Sequence, residues 1–262
     1  MICLLRHGLP LLLAFQMGAA IAAPDENLLG KEAGYPVGTV NTFGQDRFKV
    51  GSLTAMDQVF PFNPIRKGNG RFEFRRVAEE PAITYQFKGS TYSIDDYLAR
   101  QRVTGLLVIK DGEILIERYQ YGRKGSDRFY SMSMGKSITS LAVGLALSEG
   151  KIRSLDDKAA IYVPELVGSA YGETSIRDLL RMSSGVRFSE DYSGKDDNAA
   201  MLWMSLTHGL LEFLKRFSER TAAPGERFNY ASSETTVLGF VVRGATGTSL
   251  AEYIAEKLWR PL

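Results

Sequence analysis

In "FYSMSMGKSITS", residues 129–140, Ser133 and Lys136 stand three positions apart. On a helix that spacing puts both side chains on one face, so a hydroxyl nucleophile would sit beside an amine base. A lysine serves as a base only when neutral, and apolar neighbours favour that form; Met132, Met134 and the apolar residues that follow are expected to wall the pair. The Ser133 N–H, heading a helix, is a candidate oxyanion donor. The same stretch also offers Gly135-Lys136-Ser137, the end of a phosphate-binding loop. That loop needs a glycine five residues earlier and an apolar strand before it. Tyr130 holds the glycine's place and "GRKGSDRF" the strand's, so the phosphate reading fails.

Other nucleophilic schemes find less support. The chain has two histidines, His7 and His208, and no G-x-S-x-G turn, which leaves a serine–histidine–acid triad without parts. Glu190-Asp191 and Asp196-Asp197 could be drawn as paired acids, but neighbouring carboxylates in a polar loop are expected to be solvated. A second S-x-x-K, Ser148 to Lys151, spans Gly150 at the end of a helix and is read as chance. The first copy gains weight from "FNYASSE", where Tyr230 and Ser232 open an apolar helix. A tyrosine there can relay a proton between nucleophile, lysine and leaving group, and Ser232 can hydrogen-bond substrate.

Several elements must bring these residues together. "TYSIDDYLARQR" predicts a helix with Ser93 as N-cap and an acidic first turn. "TGLLVIKDGEILIERYQYG" predicts a hairpin turning at Asp111-Gly112. The apolar run after Ser133 predicts a buried helix stopped by Gly150, and "SIRDLLRMSSG" a short helix capped by Ser175. A polar loop over 186–198 leads to amphipathic segments, and the end reads as two helices separated by residues 244–248. Residues 24 to about 90 form a loop-rich arm rich in glycine and proline.

Composition bounds the class. The 262 residues suffice for a sizeable core, and 44% hydrophobic with 24% charged residues is ordinary for a globular protein. With 32 basic against 30 acidic residues and no single-sign run, neither a nucleic-acid surface nor a polybasic membrane anchor is expected. At the N-terminus, Arg6, the apolar "LPLLLAFQMGAAIAA" and the small-x-small Ala20-Ile21-Ala22 predict a signal peptide over 1–22 and export to the periplasm or medium. The only cysteine, Cys3, lies inside it, so the mature chain would carry no thiol or disulfide and His208 as its single histidine.

Taken together, the ordered series "KSITSLAVGLALSEGKI", "LDDKAAIYVPEL", "SIRDLLRMSSGVRFSEDY" and "PGERFNYASSETTVLGFVVRGATG" resembles the serine β-lactamase and penicillin-binding superfamily. Within it the series is most similar to class C-like esterases and 6-aminohexanoate-dimer hydrolases, over roughly residues 91–262. The resemblance implies a mixed α/β (α+β) fold, an antiparallel sheet sandwiched with helices beside an all-α subdomain. It implies an acyl-enzyme on Ser133, Lys136 as general base, Tyr230 as proton shuttle and Tyr192 closing over the substrate. No cofactor or metal is implied, and the partner is a small-molecule amide or ester. The family's third motif, Lys-Thr-Gly or His-x-Gly, has no counterpart after Tyr230. The domain over 91–262, which follows an arm over 23–90, is therefore expected to be C-terminally incomplete, lacking the last strands and helix. β-Lactam or cell-wall peptide processing, and a non-catalytic binding role, remain the alternatives.

Overall fold

The computed structural model describes residues 24–262 apart from residues 67 and 71. The expected signal peptide over 1–22, with Cys3 and His7, lies outside the described residues. The chain divides into two compact units: the described residues through Val59 with Phe74–Arg128, and Phe60–Glu73 with Phe129–Leu262.

The first unit contains α1 (Asp46–Ser52), β1 (Arg75–Arg76), β2 (Thr84–Phe87), β3 (Ser90–Ser93), α2 (Ile94–Arg100), β4 (Gly105–Lys110) and β5 (Glu113–Tyr119). The expected hairpin is β4–β5, antiparallel, with β1 added in parallel on the far side of β5. Asp111 and Gly112 have φ of 51° and 76°, the left-handed pair that a type I′ turn requires. A second hairpin, β2–β3, turns the same way at Lys88-Gly89, with φ of 48° and 80°. Ser93 caps α2 in a capping box with Asp96, as the acidic first turn suggests. The arm expected to be loop-rich carries α1 as well. Its seven residues bury Val50, Gly51 and Ser52, and its N-cap, Gln45, makes no side-chain cap bond, so neither a period nor a cap marks it in the sequence.

The second unit is helical: α3 (Met134–Ser148), α4 (Ile176–Leu180), α5 (Asp197–Thr207), α6 (Leu210–Leu214), α7 (Ser232–Thr246) and α8 (Leu250–Ile254), the last continuing into a π-turn over Ala255–Trp259. Sheet and helices together make the mixed α/β class that the sequence predicts. The core forms where α3 and α7 pack, through Ala142, Val143 and Ala146 on one and Val237, Val241 and Val242 on the other. Leu166, Ile176, Leu179 and Leu214 complete it. α3 ends as expected, at Gly150 with φ of 69°, although Leu141 on its outer face is exposed. No helix among the described residues is long and apolar enough to cross a membrane.

The break between the last two helices falls at Gly247, in the left-handed C-cap position, not at Gly244. Gly244 lies inside α7 for a different reason: a Cβ there would come within 1.9 Å of the Tyr162 carbonyl oxygen. In α3, by contrast, a Cβ on Gly144 would meet nothing within 4 Å. Glycine-to-alanine substitution should therefore act in opposite directions at the two sites. Gly144→Ala is expected to stabilise by up to ~1 kcal/mol through helix propensity. Gly244→Ala should destabilise by ~1–3 kcal/mol because backbone must move. Denaturant midpoints of the two variants test this.

Candidate functional site

The site is built where α3 and α7 begin. Ser133 occupies the N-cap of α3. Met132 before it has φ of 48°, a left-handed conformation costing a residue with a side chain about 1–2 kcal/mol. The turn then closes tightly: the N–H groups of Met134, Gly135 and Lys136 donate three residues back, to Ser131, Met132 and Ser133 at 3.1, 3.3 and 3.0 Å. Lys136 Nζ lies 3.1 Å from Ser133 Oγ, on the face that the spacing predicts. Ninety-seven residues further on, the Tyr230 hydroxyl donates to the same Oγ at 2.6 Å. Lys136 Nζ also lies 5.2 Å from the centre of the Tyr230 ring. The three candidate residues with proposed chemical roles thus meet at one oxygen.

Tyr230 is aimed by the chain just before it. The Asn229 N–H donates to the Met182 carbonyl at 2.8 Å, and its side-chain amide to the Phe188 carbonyl at 3.2 Å. The segment that receives them ends in Glu190, which the polar-loop reading left solvated. Glu190 Oε2 accepts the Ser232 N–H at 2.7 Å, while Oε1 accepts the hydroxyls of Ser232 at 2.8 Å and Tyr192 at 3.1 Å. The Ser232 hydroxyl expected to meet substrate therefore donates to Glu190. Asp196 is not solvated either. It is buried, accepts the N–H groups of Asp191 and Tyr192 at 2.8 and 2.7 Å, and caps α5 through Ala199 at 2.9 Å. Asp197 takes both the N–H and the hydroxyl of Ser189, at 2.8 and 2.9 Å. Local spacing could not reveal Glu190, because its main partner lies 42 residues away.

A cavity of about 430 Å³ opens on this group, lined by Ser133, Lys136, Glu190, Tyr192 and Ser232 together with apolar Met201, Leu202 and Leu210. Tyr192 stands at its rim, with φ of 60° and 69% of its surface exposed. Partial desolvation, and then the bond to Glu190, hold its hydroxyl above the usual tyrosine range. Met132 and Met134 do not form dry walls: they are 65% and 70% exposed. The helix packs its Ala142–Val143–Ala146 face inward and turns this end outward. His208 is exposed at the end of α5, paired with Thr207. In the second S-x-x-K, the Ser148 hydroxyl donates to the Leu145 carbonyl instead.

The family described as Beta-lactamase matches residues 93–262. A 6-aminohexanoate-dimer hydrolase of Paenarthrobacter ureafaciens is 32% identical over 165 residues, 60% of this chain and 41% of that one. A putative D-alanyl-D-alanine carboxypeptidase of Escherichia coli (strain K12) is 26% identical over 236 residues, 88% of this chain and 50% of that one. The chain thus spans half or less of these relatives' length. Among solved structures, a putative 6-aminohexanoate-dimer hydrolase from Bacillus anthracis superposes with a TM-score of 0.74 at 21% identity, over 91% of this chain and 63% of that one, which shows the fold. The chain belongs to the beta-lactamase family, and its homologues are hydrolases.

Behind the cavity, the first turn of α7 buries polar groups that other segments satisfy. Ser233 pairs with the Tyr171 hydroxyl at 2.5 Å, and Glu234 Oε1 accepts the Ser184 hydroxyl at 2.7 Å. Arg220 ties the same region together, donating to the carbonyls of Ala170 and Ser184 and to Thr174. Glu234 is 1% exposed, and its Oε2 is buried with no hydrogen-bond partner. Burial pushes its carboxyl up to about 7 from 4.5, with Asp178 adding to the rise and the Ser184 bonds and Arg220 opposing it. Because the folded value is the higher one, this group's contribution is fully present below pH 4.5 and is lost as pH rises through 7. Stability should decline across that window by up to about 3 kcal/mol. Glu234→Gln should flatten the slope, as read from denaturant midpoints between pH 5 and 8.

Proposed function

We propose that this member of the beta-lactamase family is a serine hydrolase that cleaves an amide or ester bond in a small molecule through an acyl-enzyme on Ser133. One observation carries the reading: Ser133 Oγ lies within hydrogen-bond reach of both Lys136 Nζ and the Tyr230 hydroxyl. Lys136, as general base, takes the Ser133 proton as Oγ bonds to the carbonyl carbon. The tetrahedral oxyanion forms beside the starts of α3 and α7, where the positive ends of the two helix dipoles favour negative charge. The Ser133 N–H is one donor to it. The proton passes through Tyr230 to the leaving nitrogen or oxygen as that bond breaks. Water then attacks the acyl carbon, giving up its proton by the same route, and the acid departs as Ser133 is reprotonated.

Tyr192 closes over the substrate from the cavity rim, against the apolar wall of Met201, Leu202 and Leu210. The mechanism calls on no cofactor. The N-terminal pattern supports export. The relative named for 6-aminohexanoate-dimer hydrolysis favours a small amide as substrate. The carboxypeptidase relative, matched over 88% of this chain, favours a second reading in which the acyl donor is a cell-wall peptide. A penicillin adduct on Ser133 that persists for hours would select that second reading.

The proposal is tested with a fluorophosphonate probe. Ser133 should be the labelled residue, and Ser133→Ala should abolish labelling. Lys136→Ala and Tyr230→Phe should slow it by ~10²-fold or more, the usual contribution of a positioned acid or base. Equal labelling of the parent and Ser133→Ala overturns the assignment.

A further inference from the structure

We propose that Glu190 is a positioning residue, a single carboxylate that caps α7 from outside the helix and tethers Tyr192, so that Tyr230 and the cavity rim are set together. This rests on the roles given above to Ser133 and Tyr230.

The start of α7 creates the need. A helix leaves its first N–H groups without intrahelical acceptors, and a polar N-cap side chain ordinarily accepts one. Ser93, Ser175, Asp196 and Ser249 do so for α2, α4, α5 and α8. The N-cap of α7 is Ala231, which has no side-chain acceptor. Glu190 fills the place from 42 residues away, taking the Ser232 N–H at 2.7 Å and the Ser232 hydroxyl at 2.8 Å. A negative charge at the positive end of a helix makes this a strong, charge-assisted contact. Tyr230 stands two residues before the capped N–H, and its phenol is a long lever. A small rotation of the helix start would carry the hydroxyl away from Ser133 Oγ, which it now meets at 2.6 Å.

The same carboxylate works at its other end. Glu190 Oε1 accepts the Tyr192 hydroxyl at 3.1 Å, while Asp196 fixes the Tyr192 backbone at 2.7 Å. Ring and main chain are thus held by two different acids. Since both oxygens of Glu190 already accept protein donors, its role is to place other groups rather than to exchange protons with substrate.

The test uses the fluorophosphonate labelling rate and p-nitrophenyl butyrate turnover in a double-mutant cycle. Glu190→Ala should slow labelling ~10-fold, the loss expected when a helix cap worth one to two kcal/mol no longer holds the aligned state. In a Tyr230→Phe background the same substitution should cost less than about twofold, because its effect runs through the Tyr230 hydroxyl. Glu190→Ala should also raise KM for the ester, as Tyr192→Phe does alone, and the two together should raise it no further. Glu190→Gln keeps one acceptor for the Ser232 N–H and should fall between; it carries the test if circular dichroism shows Glu190→Ala unfolded. An equal loss in both backgrounds, or parental labelling by Glu190→Ala, overturns the proposal. Labelling of Ser133→Ala at the parental rate would instead overturn the catalytic reading itself.

Discussion

The second unit is organised around one meeting of hydroxyls: Tyr230 must reach Ser133 Oγ across 97 residues of chain, at 2.6 Å. That contact requires α3 and α7 to begin at the same place. Two helix starts side by side gather the positive ends of two dipoles, a setting suited to transient negative charge. The helices hold this arrangement because they also pack against each other, through small residues on α3 and valines on α7. On another side of α7 the missing side chain of Gly244 lets the Tyr162 carbonyl approach the helix.

Holding a helix start in place is a polar problem, because each orphan N–H and each polar side chain buried there needs a partner. The first turn of α7 solves it with groups from three separate segments. Ser232 is met by Glu190, Ser233 by Tyr171 and Glu234 by Ser184. Such bonds have strict geometry, so they fix the helix in rotation as well as position, which an apolar contact would do less sharply. The Glu234 oxygen left without a partner marks the remaining cost of this arrangement.

Much of the fold was legible because its causes are local. The Asp111-Gly112 turn, the Ser93 and Ser175 caps and the glycine after α3 depend on residues within a few positions of one another, and each was found where it was expected. Short elements without a local marker were not legible: α1, whose N-cap Gln45 makes no side-chain cap bond, and the four-residue strands of the β2–β3 hairpin, whereas α2 and α4 are as short but are announced by Ser93 and Ser175. The end of α7 was misplaced by three residues because a glycine can mean a close approach as well as a stop. The exposure of Met132 and Met134 could not be read from their apolar character, since which face of α3 turns inward is decided by α7.

The sequence by itself determined that Ser133 and Lys136 share a face, because helical geometry brings residues three apart together wherever they occur. It also determined the order of blocks that marks the family, and a tyrosine at the head of an apolar helix. Only the tertiary structure decided that this tyrosine meets this serine, and that Glu190 belongs with them rather than with solvent. A carboxylate in a polar loop looks the same in sequence whether it faces water or a helix start 42 residues away. Its partner is chosen by packing, which joins segments whose proximity no local spacing encodes.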